Sequence, residues 1–127
     1  MINTIIKIGI SIMAVLHGYI LWFEMFAWET KWKEIFTVLP EELFSQTVEM
    51  AANQWLYNWF LAAGLIWSLV IKDTRWSNNI ALFFLACILI AWIYGAYTID
   101  SKILFIQSIP SFIILIMIAV DYFKSKS

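Results

Sequence analysis

The chain has 127 residues, of which 63% are hydrophobic and only 13% charged, with a net charge of −1 and a mean hydropathy of +0.83. Ordinary globular proteins are about half apolar, and a soluble domain of this length lacks the interior volume to hide the excess. The charge balance also leaves no basic face for nucleic acid. A single integral membrane domain covering 1–127 is expected, and the one cysteine, Cys87, has no partner for an internal disulfide.

A spanning helix needs roughly 20 apolar residues, and four stretches reach that length: 4–28, 49–71, 77–98 and 101–122. The first is too long for the apolar core of a cleavable leader. It ends in Glu-Met-Phe-Ala-Trp-Glu without a small-residue cleavage site, so it is read as a retained span. At about 100° per residue, His17, Leu21, Glu24 and Trp28 fall on one stripe flanked by Ala14 and Gly18. Val15, Tyr19, Trp22 and Phe26 lie opposite, where bulky apolar groups suit lipid. His17 and Glu24 therefore face the interior. They are about 10 Å apart along the axis, which leaves room for a side chain, a water or a ligand.

The loop 29–48 contains Pro40 followed by Glu41 and Glu42. Proline suits a first helical turn and carboxylates suit the positive end of the helix dipole. A helix is therefore expected to start near Pro40, outside the lipid, and run on into span two. In that span Gln54, Tyr57 and Asn58 share a face with Leu61, Leu65 and Ser68, while Leu56, Trp59, Ala63, Ile66 and Trp67 take the other. Span three offers Tyr94 and Tyr97 beside Gly95. Span four offers Gln107 and Ser111 around Pro110, which cannot donate a backbone hydrogen bond. The links 72–76 and 99–102 are short, so the spans they join are antiparallel neighbours.

Lys7, Lys72, Arg75, Lys124 and Lys126 lie on one side of this arrangement, and Lys31, Lys33 and Lys102 on the other. The excess places both termini in the cytoplasm and the 29–48 loop outside. Trp28, Trp32, Trp55, Trp67 and Trp76 fall near span ends, where indoles anchor at the interface.

Depth sharpens the pattern. Glu24, Gln54, Tyr94 and Gln107 each lie roughly 6–9 Å inside the loop-side end of their spans by helical rise. Tyr57 and Asn58 are a turn deeper, and His17 deeper still. The other half of the spans, as in "LFFLACILIA" and "FIILIMIAV", is almost wholly apolar. The expectation is a polar cup opening toward the loop, with His17 at its floor. The plain alternative is that Asn, Gln and Tyr only bridge helices, at about 0.6 kcal/mol each. An intramembrane carboxylate such as Glu24 is by contrast a functional candidate by default. No metal site is expected, because the only histidine and Glu24 are not spaced to chelate. Met13, Met25 and Met50 are read as packing rather than soft-metal ligands. No cofactor motif is present, and Cys87 is read as a small buried hydrophobe.

The segments "HGYILWFEMFAWET", "AANQWLYNWFLAAGL", "YGAYT" and "KILFIQSIPS" resemble the bacterial membrane-protein family known as domain of unknown function 1304. The resemblance covers nearly the whole chain. It implies an all-α four-span bundle in the bacterial inner membrane and marks His17, Glu24, Asn53, Gln54, Tyr57, Asn58, Tyr94 and Gln107 as family-pattern positions. It implies no activity. The chain departs from the pattern where Trp55 and Trp59 stand in place of glycine.

Four functions compete. A binding protein would take a small polar or amphipathic ligand into the cup, through His17, Glu24, Gln54, Tyr57, Asn58, Tyr94 and Gln107. An intramembrane enzyme would use Glu24 and His17 as acid and base on a lipid-type substrate. A small proton-coupled exporter would use Glu24, and a scaffold would use none of these groups. The binding reading leads. Expected partners are membrane lipids and a small molecule, and small residues such as Ala91 and Gly95 permit close contact within or between copies.

Overall fold

The computed structural model describes residues 2–35, 40–98 and 108–124. They are helical apart from short links, with no strand among the described residues. Helix α1 (Ile2–Phe26) buries Ile6, Ile10, Met13, His17, Ile20 and Glu24. That alternation of four and three keeps one stripe facing its neighbours. Val15, Tyr19, Trp22 and Phe26 lie exposed on the other side, as the periodicity requires.

The chain leaves α1 at Ala27 and makes one π-helical turn, Trp28–Trp32, that leads into the short α2 (Lys33–Ile35). Trp28 therefore belongs to this turn rather than to the end of the first helix. Helix α3 (Glu41–Gln46) begins directly after Pro40, with Glu41 and Glu42 in its first turn. It does not run straight into the next helix. Thr47, with φ −114° and ψ 15°, breaks the path, and its Oγ1 donates to the Leu43 carbonyl at 2.6 Å. That local bond competes with continued helix. The buried Phe44 holds α3 down through its ring, 5.4 Å from that of Trp28, and Trp28 Nε1 donates to Thr47 Oγ1 at 3.2 Å.

Helix α4 (Val48–Val70) buries Ala51, Asn58, Ala62, Gly64, Leu65 and Ser68. Helix α5 (Thr74–Thr98) starts three residues earlier than expected, because Asp73 Oδ1 accepts from the Trp76 N–H at 2.9 Å and caps it. Ser77 Oγ donates to the Ser68 carbonyl at 2.7 Å and ties the two helices beside their link. The Phe84 ring lies directly over Gly64, so α4 and α5 are antiparallel and in close contact. Helix α6 (Ile109–Lys124) ends the described chain. The first part of the expected fourth span, including Gln107, lies outside the described residues.

The four long helices form a ring. Helix α1 packs on α4 and α6, and α5 closes the circle by packing on the same two. The core is apolar: Ile6, Ile10 and Met13 of α1 meet Leu65, Leu85, Ile88, Ile114 and Ile118. Helices α1 and α5 are long and apolar enough to cross a membrane by length and composition. At 25 residues each they extend about 37 Å, more than the roughly 30 Å of a hydrocarbon layer. Helix α4 carries Glu49, Asn53, Gln54, Tyr57 and Asn58 in its first half and is less apolar.

Candidate functional site in the bundle interior

Two groups of polar side chains lie inside the ring. The first joins α1 to α4. Glu24 is 6% exposed and Asn58 2%, and Asn58 Nδ2 donates to Glu24 Oε2 at 2.8 Å. The same amide nitrogen lies 3.3 Å from the Gln54 carbonyl. A carboxyl group so enclosed must be hydrogen-bonded to be tolerated, and Asn58 supplies that bond from the neighbouring helix.

The second group centres on His17, which has no exposed surface. Its Nδ1 lies 2.9 Å from the Met13 carbonyl. A carbonyl can only accept, so Nδ1 carries the hydrogen, and the neutral ring then presents a lone pair at Nε2. Nε2 is buried and has no partner among the described residues. The Trp92 ring, from the diagonally opposite α5, stands edge-on to the imidazole with centroids 6.4 Å apart. Two further buried polar atoms are unpartnered among the described residues: Ser108 Oγ at the start of α6 and Trp55 Nε1 on α4. Such orphans are rare in native interiors, because each costs about 1–3 kcal/mol.

The structure thus brings His17, Glu24 and Asn58 into the interior and leaves the other expected groups elsewhere. Tyr57 is 61% exposed and Tyr94 69%, and Tyr97 points out almost completely at 90%. The Gln54 side chain is exposed as well, although it sits one turn from Asn58. Tyrosine and glutamine near a helix end can satisfy their polar tips outside the bundle, which overrides the tendency of polar groups to turn inward. Gln107 falls outside the described residues. Trp55 is also misplaced by the interface-anchor reading. It is half-buried on the inward stripe with Ala51, Asn58, Ala62 and Leu65, whereas Trp67 and Trp76 are exposed as expected. Ser108 was overlooked although it lies three residues before the recognised Ser111, one helical turn along the same side; both are buried. Cys87 is half-buried and unpaired.

The concavity lined by described residues is apolar. It is a groove of about 330 Å³ between α1 and α6, bounded by Ile5, Gly9, Ile12 and Met13 on one side and by Pro110 and Met117 on the other.

A family model described as protein of unknown function DUF1304 matches residues 11–119. The chain belongs to the DUF1304 family. Comparison with curated proteins and with solved structures gave no match. The DUF1304 segment takes in His17, Glu24, Asn58 and Ser108, so all the interior polar groups described above fall within it.

Proposed function

We propose that this DUF1304 chain is a four-span membrane protein, with both termini in the cytoplasm, that binds a small polar or amphipathic ligand inside its helix ring. The observation that carries this reading is His17 Nε2. The ring is fully buried and its tautomer is fixed by Met13, yet its acceptor faces no donor among the described residues. A helix bundle gains nothing from such an atom, since leucine would fill the space without the penalty. A ligand hydroxyl or N–H would satisfy it. The exposed aromatic row Tyr19, Trp22 and Phe26 on α1 suits contact with lipid and headgroups. In this account the Glu24–Asn58 pair fixes α1 against α4 above the site. Acid–base chemistry between Glu24 and His17 has less support, because Asn58 engages Glu24 at a separate level.

Native mass spectrometry of the protein released from mild detergent tests the proposal. Wild-type protein is expected to retain a small molecule that the His17→Leu variant, equally helical, has lost. Identical spectra from the two proteins would contradict it.

A further inference from the structure

The apolar groove between α1 and α6 ends next to the unpartnered polar atoms, and this juxtaposition narrows the ligand class. An added Cβ at Gly9 would lie 3.0 Å from Ile114 Cγ1, so these two residues oppose each other. In the antiparallel pair, four residues further on, Met13 of α1 then opposes Pro110 of α6, and both line the inner end of the groove. One turn beyond Met13 is His17. Ser108, two residues before Pro110, is level with residue 15, so His17 and Ser108 are within about 3 Å of each other along the axis. One is 0% exposed and the other 3%, and Nε2 and Oγ are both without a partner among the described residues.

Their chemistry is complementary to one group. Nε2 accepts, and Ser108 Oγ–H can donate. A ligand hydroxyl does both in return, giving its hydrogen to Nε2 and a lone pair to Ser108. An ether or a ketone satisfies only the serine. The groove opens along exposed Ile5, Ile8, Ile12 and Ile113, so entry is sideways from the acyl-chain layer. Its volume is at the lower end of the range for small-molecule sites, roughly 300–1,000 Å³.

We infer that the site takes a hydroxyl-bearing amphiphile from the bilayer, with its hydroxyl between His17 and Ser108 and its hydrocarbon chain in the α1–α6 groove. This rests on the binding reading above and goes further, in assigning the headgroup and the route of entry. Moving a chain from lipid into the groove gains little, because lipid tails are as apolar as the lining. Selection therefore lies with the hydroxyl, and the groove only has to admit the tail.

The chain has one histidine, so full-length protein labelled with ¹⁵N-histidine in phosphatidylcholine nanodiscs gives one Nε2 resonance. The probes are 1-dodecanol, dodecyl methyl ether, dodecane and glycerol. Dodecanol is expected to move the Nε2 signal saturably, and the ether and the alkane to leave it in place. A groove-filling variant, Ile12→Trp with Ile113→Trp, alters two exposed positions and is expected to weaken the dodecanol response by more than about tenfold. A Nδ1 signal that stays at its wild-type position shows that the fold is intact. A shift with glycerol but not dodecanol would overturn the amphiphile and keep the polar-ligand reading. An undiminished dodecanol response in the groove variant would overturn the groove as the tail site. No shift with any probe, as a tightly held structural water alone would give, would overturn both.

Discussion

Removing Asn58 is the sharpest perturbation of the interior. Glu24 has one hydrogen-bond partner among the described residues, Asn58 Nδ2 at 2.8 Å, whereas Asn58 keeps a second acceptor in the Gln54 carbonyl at 3.3 Å. The two single replacements should therefore be unequal. Asn58→Leu strands a carboxyl group that is 6% exposed and is expected to cost about 3 kcal/mol, the upper part of the range for a buried orphan. Glu24→Met leaves the amide its backbone partner and is expected to cost about 1 kcal/mol. The double variant replaces both by apolar groups of similar size and should lie near wild type. The coupling is then at least about 2 kcal/mol, well above the roughly 0.6 kcal/mol typical of polar contacts between membrane helices. Detergent-driven unfolding in bicelles, followed through the eight tryptophans, measures all four proteins. A coupling of about 0.6 kcal/mol or less, with Asn58→Leu no worse than Glu24→Met, would mean that Glu24 reaches water and would refute the reasoning.

Other substitutions test separate parts of the account. His17→Leu removes an orphan worth about 1–3 kcal/mol while losing the Met13 bond, worth about 0.5–1.5 kcal/mol. Ligand-free protein should therefore be stabilised by about 1 kcal/mol in the same unfolding assay, and a clear loss of stability would argue that Nε2 is satisfied within the fold. Gly64→Ala should destabilise by about 1–3 kcal/mol, because Phe84 occupies the space of the new methyl group. Gly18→Ala meets nothing within 4 Å and should gain about 0.5–1 kcal/mol from the lower backbone entropy cost. Thermal unfolding of the pair gives both signs. Trp28→Phe keeps the ring against Phe44 but removes the bond to Thr47. It should speed hydrogen exchange in α3 selectively, leaving α4 and α5 protected.

Helix α1 was legible almost in full. Its inward stripe, including His17 and Glu24, and its bulky outward face follow from periodicity, because one side carries small and polar groups and the other carries Val15, Trp22 and Phe26. Helix α4 was harder, since its inward stripe is marked chiefly by small residues and one tryptophan. Alanine gives no directional signal, and Tyr57 next to Asn58 drew the expected face about 100° too far round. Depth fared better than direction: Asn58 and His17 lie inside, whereas Tyr94 is at a comparable height but points outward. The break at Thr47 depends on a side-chain bond to Leu43, which span-scale hydropathy does not register. The contact of His17 with Trp92 joins residues 75 positions apart, across the ring, and periodicity within one helix carries no information about it.

The claim on which the account turns is that His17 Nε2 is an acceptor awaiting a ligand. A high-resolution structure of the protein in lipid, prepared without delipidation, addresses it directly. Non-protein density about 3 Å from Nε2, reaching toward Ser108 and continuing into the α1–α6 groove, is the predicted result. A nitrogen bonded to a donor from the protein itself, or closed in by apolar side chains with no density beside it, would contradict it.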